Sequence, residues 1–252
     1  MQNKWKNILF KIFLLITFGS FVVLSIMSFQ YGQPISNANA QIDINYENGH
    51  LFINEEIING KIHEFFSDTT KVDATSLSRL EKFLQGHPHV KYANAYIDSR
   101  GNLHVSVDQV NPIARVLPKG GNSYYVDEHQ NKVPTSNLYT AKVPVLTGYI
   151  PEEYHQVEPI SSWELKALIK VINETKEDPY WSAQIAQLLM SESEEIKMIP
   201  RLGNQIVTLG DSTDILEKLK RLDAFYSEIS KTVGWDAFKY IDVQYKNQIV
   251  CK

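Results

Sequence analysis

The hydrophobic residues of this chain first form one continuous apolar run, close to the N-terminus. The 18 residues Ile12–Phe29 contain no charge and no proline, and a helix of this length crosses roughly the 30 Å hydrocarbon core of a bilayer. The first three basic residues all precede the run: Lys4, Lys6 and Lys11. The next is Lys61, and this asymmetry predicts a cytoplasmic N-terminus. We therefore expect a cytoplasmic tail over residues 1–11 and a transmembrane helix over residues 12–30.

A cleaved secretory signal is the alternative interpretation of this segment. Basic residues, an apolar run and the small residues Ala38-Asn39-Ala40 are the components of such a signal. The run is longer than the roughly 7–15 residues that are usual there, and Ala40 lies eleven residues after Phe29, which favours a retained anchor. Gln33–Gln41 is small and polar, and a linker is predicted over residues 31–41. Both interpretations place residues 41–252 outside the cytoplasm.

Apolar residues at alternating and then helical spacing follow between residues 42 and 112. They predict a strand, two amphipathic helices and a hairpin. The elements are a strand over residues 42–46, a helix capped by Asn54, a helix that begins near Thr75, and a hairpin with Ser99–Asn102 as its turn. In the order β-α-α-β-β the two helices can cover one face of the sheet, which makes a compact α+β unit.

The remaining residues, 113–252, predict a larger, strand-rich domain with two helices. The helices are expected at Ser161–Glu174 and after the capping residue Asp211. The chain closes with Tyr240–Cys251, where Ile241, Val243 and Tyr245 alternate with polar residues, which predicts a final strand. A final strand is often an edge strand, and an edge offers unpaired N–H and C=O groups to a partner. The chain as a whole is predicted to be of the α+β class.

Charge and cysteine content narrow the range of partners. Three of the 25 basic residues precede the apolar run, which leaves 22 basic and 29 acidic residues in residues 41–252, a net charge of −7. The sequence has no basic patch, so neither nucleic acid nor an anionic membrane surface is an expected partner. Cys251 is the single cysteine. No internal disulfide can form, and the hydrophobic cores must stabilise the exported body.

The candidate chemical motifs do not assemble into a catalytic or metal site. His63-Glu64 begins like a zinc-protease helix, but Ser67 stands where the second histidine is required. His87-Pro88-His89 follows a predicted helix end and favours a solvated turn over a metal site, which would need further ligands. Phosphate-binding glycine loops and nucleophile motifs are absent from the sequence. We therefore expect no enzymatic activity, no cofactor and no small-molecule substrate.

Six segments of the chain have a recognisable order and spacing. They are Leu84–Ala95, Leu103–Arg115, Tyr125–Asp127, Val143–Gly148, Ile199–Gly210 and Tyr240–Tyr245. The first two resemble the second half of a POTRA module and its passage into a following β domain, and the others resemble strands of that β domain. Together they resemble the bacterial cell-division family FtsQ/DivIB, and most closely its Bacteroidetes-like members. The resemblance implies a POTRA domain over residues 42–112 and a β domain over residues 113–252.

The resemblance also implies a non-catalytic, membrane-anchored scaffold of the cell-division machinery. Family members lie in the inner membrane at the division septum, with the N-terminus cytoplasmic and the body periplasmic. They bind FtsB and FtsL and link early division proteins to septal peptidoglycan synthesis. FtsB adds to the edge strand at the C-terminal end of the β domain. Carried over to this chain, the partner-binding residues are Tyr240, Asp242, Gln244, Tyr245, Ile249 and Val250.

Three alternatives stay open at this point. For Tyr245, which matches the family's aromatic residue in this strand, simple core packing is the competing interpretation. For the whole chain, one alternative is another POTRA-bearing export or outer-membrane assembly factor, although the sequence has neither tandem modules nor a barrel pattern. The last is an exported enzyme with a dispersed site, which would be released at Ala40 and show turnover.

Overall fold

The computed structural model of the chain describes residues 2–30, 40–46, 49, 51–67, 74–228, 230–234 and 237–252. In the first helix, side chains are described for residues 11–25. Within these described parts, no helix combines the length and the apolar character that crossing a membrane requires. Most of the predicted linker over residues 31–41, together with Ala38 and Asn39 of the signal-like segment, lies outside the described residues.

Helices and strands account for most of the described chain. The helices are α1 (Gln2–Gln30), α2 (Glu55–Phe66), α3 (Ala74–Gln85), α4 (Trp163–Thr175), α5 (Pro179–Gln184), α6 (Ile215–Glu228) and α7 (Ser230–Val233). The strands are β1 (Gln41–Asn45), β2 (Val90–Ile97), β3 (Leu103–Gln109), β4 (Pro112–Val116), β5 (Tyr124–Asp127), β6 (Lys132–Pro134), β7 (Val145–Gly148), β8 (Ile185–Met190), β9 (Ile196–Pro200), β10 (Ile206–Gly210), β11 (Tyr240–Asp242) and β12 (Val250–Cys251). In α1, the large apolar side chains from Ile12 to Leu24 are exposed.

The chain divides into two compact units. The first unit comprises Met1–Ile44, Glu55–Gly86 and Tyr92–Val107, and the second comprises Asn45–Asn54, His87–Lys91 and Asp108–Lys252. The chain passes between the units more than once, so each unit is built from separate segments. The domain ranges predicted from the sequence, 42–112 and 113–252, stay predictions.

The first unit contains a three-stranded sheet and the helices α2 and α3, in the order β-α-α-β-β. The strand order is β1-β3-β2, so β1 and β2 are the edges. Alternate residues of β2 and β3 are buried: Ala93, Ala95, Leu103, Val105 and Val107. The helices bury residues at helical spacing: Ile58, Ile62 and Phe66 in α2, Leu80 and Leu84 in α3. These two periodicities are those of a sheet face covered by amphipathic helices.

The second unit contains a nine-stranded sheet with the order β12-β11-β10-β9-β8-β7-β4-β5-β6. The pairs β4–β7, β7–β8 and β10–β11 are parallel, and the other pairs are antiparallel. The main core joins α4 and α6 to the central strands, for example through Leu168, Leu222, Leu188 and Met198. The mixed α+β class predicted from the sequence is confirmed, and β12 lies at one end of the large sheet.

The helix content of the second unit differs from the prediction of two helices. The described residues after position 113 contain α4, α5, α6 and α7. Helix α5 has six residues, begins with Pro179, and is capped by Asp178, which accepts hydrogen bonds from the N–H groups of Tyr180 and Trp181. A helix this short shows no apolar period, so its capping residues were the only signal in the sequence.

A cluster of charged side chains joins the segment before α4 to strand β6. Lys132 Nζ lies 3.3 Å from Glu152 Oε1 and 2.8 Å from Glu158 Oε1. The Glu152 carboxylate also accepts hydrogen bonds from the N–H groups of Ser161 and Ser162 at the start of α4. Burial disfavours the charged form of both groups, but the hydrogen bonds that each charged group makes outweigh this effect. The pKa of Lys132 is therefore raised and that of Glu152 is lowered. Both groups are therefore charged in the folded chain at neutral pH.

A second, smaller core in this unit includes a histidine. Its apolar members are Phe52, Val110, Tyr125, Val133 and Ala141. The His89 ring stacks on Phe52 with 5.2 Å between centroids, and His89 Nε2 lies 2.9 Å from the main-chain oxygen of Pro134. The solvated turn predicted for His87-Pro88-His89 is wrong for His89, because the Phe52 ring buries it. Burial lowers the pKa of His89, and the hydrogen bond to Pro134 offsets this in part.

We expect the free energy of unfolding to decrease as the pH falls below 6.5, the ordinary pKa of histidine, and we expect His89→Gln to reduce this dependence. Folding lowers the pKa of His89, so the unfolded chain binds the proton more readily. The stabilisation is complete above pH 6.5 and is lost as the pH falls through the lowered pKa. Urea unfolding of both proteins between about pH 7.5 and pH 5 measures the effect. The same pH dependence in both would contradict this role for His89.

Candidate functional site

The C-terminal end of the chain forms a short hairpin at one edge of the nine-stranded sheet. Strand β11 pairs in parallel with β10 and antiparallel with β12. Because β12 is the last strand in the sheet order, β12 forms the edge. Strand β11 lies between β12 and β10. The prediction of one continuous strand over Tyr240–Cys251 is therefore wrong.

The strand is interrupted because the Asp242 side chain bonds to the residues that follow it. Its Oδ1 accepts a hydrogen bond from the N–H of Gln244 at 3.0 Å, and its Oδ2 accepts one from Gln244 Nε2 at 2.7 Å. Such local bonds from an aspartate initiate a turn. Asn247 has a φ of 60°, a left-handed conformation that asparagine tolerates. The chain therefore reverses before Val250, although the alternating pattern continues beyond β11 as far as Tyr245.

Three of the six predicted partner-binding residues lie together on one face of the hairpin. Tyr240 and Asp242 are two residues apart on β11, and Asp242 is paired with Val250 on β12. Side chains alternate along a strand, and paired residues share a face, so all three point to the same side. Tyr240 is 48% exposed and Val250 is 38% exposed. This face of the edge is open to a partner.

The other three predicted residues lie elsewhere in the hairpin. Gln244 and Tyr245 lie in the connection between β11 and β12, and Tyr245 is 48% exposed, so core packing does not account for it. Ile249 is partly buried against the main core, together with Cys251. The two strands thus present Tyr240, Asp242 and Val250 on one side and Ile249 on the other.

The main-chain groups of Cys251 face outward from the sheet. Tyr240 and Lys252 exchange both of their main-chain hydrogen bonds, at 3.0 and 2.9 Å. In an antiparallel pair such residues alternate with residues that do not bond across the pair. The next pair, Ile241 with Cys251, is therefore of the second kind. The N–H and C=O of Cys251 point away from β11, in the position where an added strand would bond.

A groove with a volume of about 770 Å³ lies beside this edge, between α6 and the hairpin. Its lining includes Arg221, Phe225, Phe238, Ile249 and Cys251. Arg221 Nη2 donates a hydrogen bond of 2.7 Å to the main-chain oxygen of Val243, which ties α6 to the end of β11. Partial burial raises the pKa of the Cys251 thiol. The groove therefore presents apolar side chains next to an edge strand whose main-chain N–H and C=O groups point outward.

Sequence reasoning missed Cys251, Arg221 and Phe225 as members of this site. In the sequence Cys251 is only a single thiol that cannot form an internal disulfide, and nothing there indicates that its main chain provides the edge. Phe225 belongs to the apolar stripe of α6, and such a stripe does not show which of its residues lies at the border of the core. Among the described residues, no three His, Cys, Asp or Glu side chains come together in a way that could hold a metal ion.

Comparisons with known proteins relate this chain to the cell-division proteins. Residues 111–252 match the family model described as FtsQ/DivIB, C-terminal related. Over 170 residues, or 66% of this chain, the sequence is 26% identical to a protein named Cell division protein FtsQ from Rhodothermus marinus. That alignment spans 61% of the length of the relative.

Proposed function

The chain belongs to the FtsQ/DivIB, C-terminal related family, and from this premise we propose that it is a non-catalytic scaffold of the cell-division machinery. The membership confirms the resemblance that the sequence predicted. The name of the Rhodothermus marinus relative, a cell division protein, supports a division role for this chain. The proposed scaffold binds FtsB and FtsL and links early division proteins to septal peptidoglycan synthesis.

The observation that carries this proposal is the edge strand β12, whose main-chain groups point outward next to the groove between α6 and the hairpin. An added strand gains affinity from main-chain hydrogen bonds, and pockets for its alternate side chains give selectivity. Cys251 supplies an N–H and a C=O at this edge. Because β12 has two residues, main-chain bonds alone would give a weak site, and the groove supplies the apolar area that such a partner also needs.

FtsB is the proposed occupant of this site, with FtsL captured in the same complex. An extended segment of FtsB would bond to Cys251 and place its inward side chains in the groove beside Phe225 and Phe238. The centroids of these two rings lie 6.0 Å apart. On the opposite face, the segment would contact Tyr240 and Val250, which are exposed. The proposal thus uses both faces of the added strand.

We further propose that the chain is anchored in the inner membrane at the division septum. The uncharged run Ile12–Phe29 lies within α1, and the basic residues before it favour a cytoplasmic N-terminus. In this arrangement the body is periplasmic. The first unit, with its β-α-α-β-β order, would be the POTRA domain, and the second unit would be the β domain that binds FtsB.

Affinity purification of the full chain from detergent-solubilised cell membranes tests these proposals. We expect the chain to sediment with the membranes, to resist extraction by high salt, and to co-purify with FtsB and FtsL. A soluble form that begins at Gln41 would contradict the anchor. Purified, folded chain without FtsB and FtsL, under conditions where both proteins are present in the lysate, would contradict the scaffold.

A further inference from the structure

The centre of strand β2 is palindromic, and β2 lies at an edge of the three-stranded sheet. Residues 92–96 read Tyr-Ala-Asn-Ala-Tyr in both directions. Ala93 and Ala95 are buried, whereas Tyr92 and Tyr96 are 54% and 51% exposed. Two antiparallel copies of such a strand, related by a twofold axis, present the same residues to each other. The edge is therefore self-complementary in sequence.

Two side chains of α3 occupy this edge at the centre of the palindrome. Glu81 Oε1 accepts a hydrogen bond of 2.8 Å from the N–H of Ala95, and Gln85 Nε2 donates one of 3.2 Å to the main-chain oxygen of Ala93. A neighbouring strand would use these same main-chain groups. Edge strands that are protected in such ways resist edge-to-edge pairing. Glu81 and Gln85 thus act as a latch on β2.

We propose that the β2 edge is a self-association site for a second copy of this chain, and that the latch of Glu81 and Gln85 competes with that copy. In the proposed complex the twofold axis passes beside Asn94. Ala93 exchanges main-chain hydrogen bonds with Ala95 of the second copy, and the two three-stranded sheets become continuous. The latch must withdraw from both copies, so the association is weak while it is intact.

The hydrogen bonding of the hairpin between β2 and β3 agrees with this register. The N–H of Asp98 donates to the main-chain oxygen of Asn102 at 3.0 Å, so the main-chain groups of Tyr96 and Asn94 face β3 and those of Ala95 and Ala93 face outward. Asn94 would then lie opposite Asn94 of the second copy in a non-hydrogen-bonded pair, with Cα atoms about 4.5 Å apart. Side chains approach most closely in such pairs, and aromatic pairs stabilise them.

The exposed tyrosines supply the contact that favours a second copy over an unrelated strand. In this register Tyr92 lies opposite Tyr96 of the second copy, and the reverse contact forms on the other side of the axis. Each cross-strand aromatic pair adds to the main-chain bonds. The site lies in the first unit and does not involve the β12 edge, so the proposal stands apart from FtsB binding.

Disulfide trapping at the twofold axis tests this proposal on the full chain in detergent micelles. Asn94→Cys in a Cys251→Ser background places the two thiols within the distance that a disulfide requires. We expect disulfide-linked dimer under mild oxidation, and about tenfold more of it when Glu81→Ala and Gln85→Ala remove the latch. Ser106→Cys is the matched control, because Ser106 is on the central strand β3 and away from the axis.

Charged substitutions test the register independently. Tyr92→Lys with Tyr96→Lys places like charges opposite each other and should abolish the disulfide-linked dimer. Tyr92→Lys with Tyr96→Glu places opposite charges together and should restore it. Because both tyrosines are exposed, neither pair of substitutions removes a core side chain. The proposal is overturned if Asn94→Cys forms no more dimer than Ser106→Cys without the latch, or if the two charge variants behave alike.

Discussion

Replacing Lys132 with methionine should lower the free energy of unfolding by about 3–5 kcal/mol, the usual cost of removing one partner from a buried ion pair. The side chains of Lys132 and Glu152 are 4% and 6% exposed. Without the ammonium group, the Glu152 carboxylate stays buried without a counter-charge. The segment before α4 keeps its main-chain hydrogen bonds to residues 130 and 132 but loses the side-chain ion pairs with Lys132. Urea or thermal unfolding of the purified protein measures the difference.

Lys170→Met is the matched control for this prediction. Lys170 and Glu174 form an exposed pair at 3.7 Å on α4, and such pairs contribute about 0.3–0.5 kcal/mol. The same chemical change should therefore have little effect at this site. A loss of stability for Lys132→Met that is as small as that for Lys170→Met would contradict the buried-cluster description.

Replacing Cys251 with proline should weaken the capture of FtsB by at least about tenfold while the chain stays folded. Proline removes the N–H that points away from β11, and its ring occupies the position of an added strand. The pairing of β12 with β11 does not use this N–H, so the hairpin should persist. Titration of the solubilised chain with FtsB measures the affinity, and circular dichroism checks the fold.

Two neighbouring substitutions distinguish strand addition at β12 from a loss of the thiol or of the hairpin. Cys251→Ala removes the thiol and keeps the N–H, so it should bind FtsB nearly as well as the native chain. Val250→Pro removes an N–H that faces β11, because Val250 is paired with Asp242 one step from the outward-facing residue. It should detach β12 and destabilise the hairpin. Equal binding by Cys251→Pro and Cys251→Ala would show that FtsB does not add at β12.

Much of the fold follows from periodicity alone. The pattern of strand, two helices and hairpin in the first unit is present because alternating and helical spacings each bury one face. The same reasoning locates α4 and α6, whose apolar stripes are long enough to be unambiguous. The start of α4 is shifted slightly: the helix was expected from Ser161, but Ser162 is the capping residue, because its side chain accepts a hydrogen bond from the N–H of Leu165.

The candidate site depends on features that periodicity does not reveal. The alternation over Ile241–Tyr245 continues past the end of β11, up to a turn that Asp242 and Asn247 create by local bonds and backbone conformation. Which strand forms the edge depends on pairing with β10, a contact between distant segments. The orientation of the Cys251 main chain follows from the register of β12 against β11. Sequence reasoning could therefore identify the C-terminal region, but not the strand or the residue that faces a partner.

The most direct test of the central claim is amide hydrogen exchange at Cys251, with and without FtsB. In the free chain this N–H faces solvent from the edge of the sheet and should exchange rapidly. If FtsB adds a strand to β12, the N–H becomes bonded and its exchange should slow by at least about tenfold, while that of Ile241 on the inner strand changes little. FtsB bound to the chain with unchanged exchange at Cys251 would contradict strand addition at this edge.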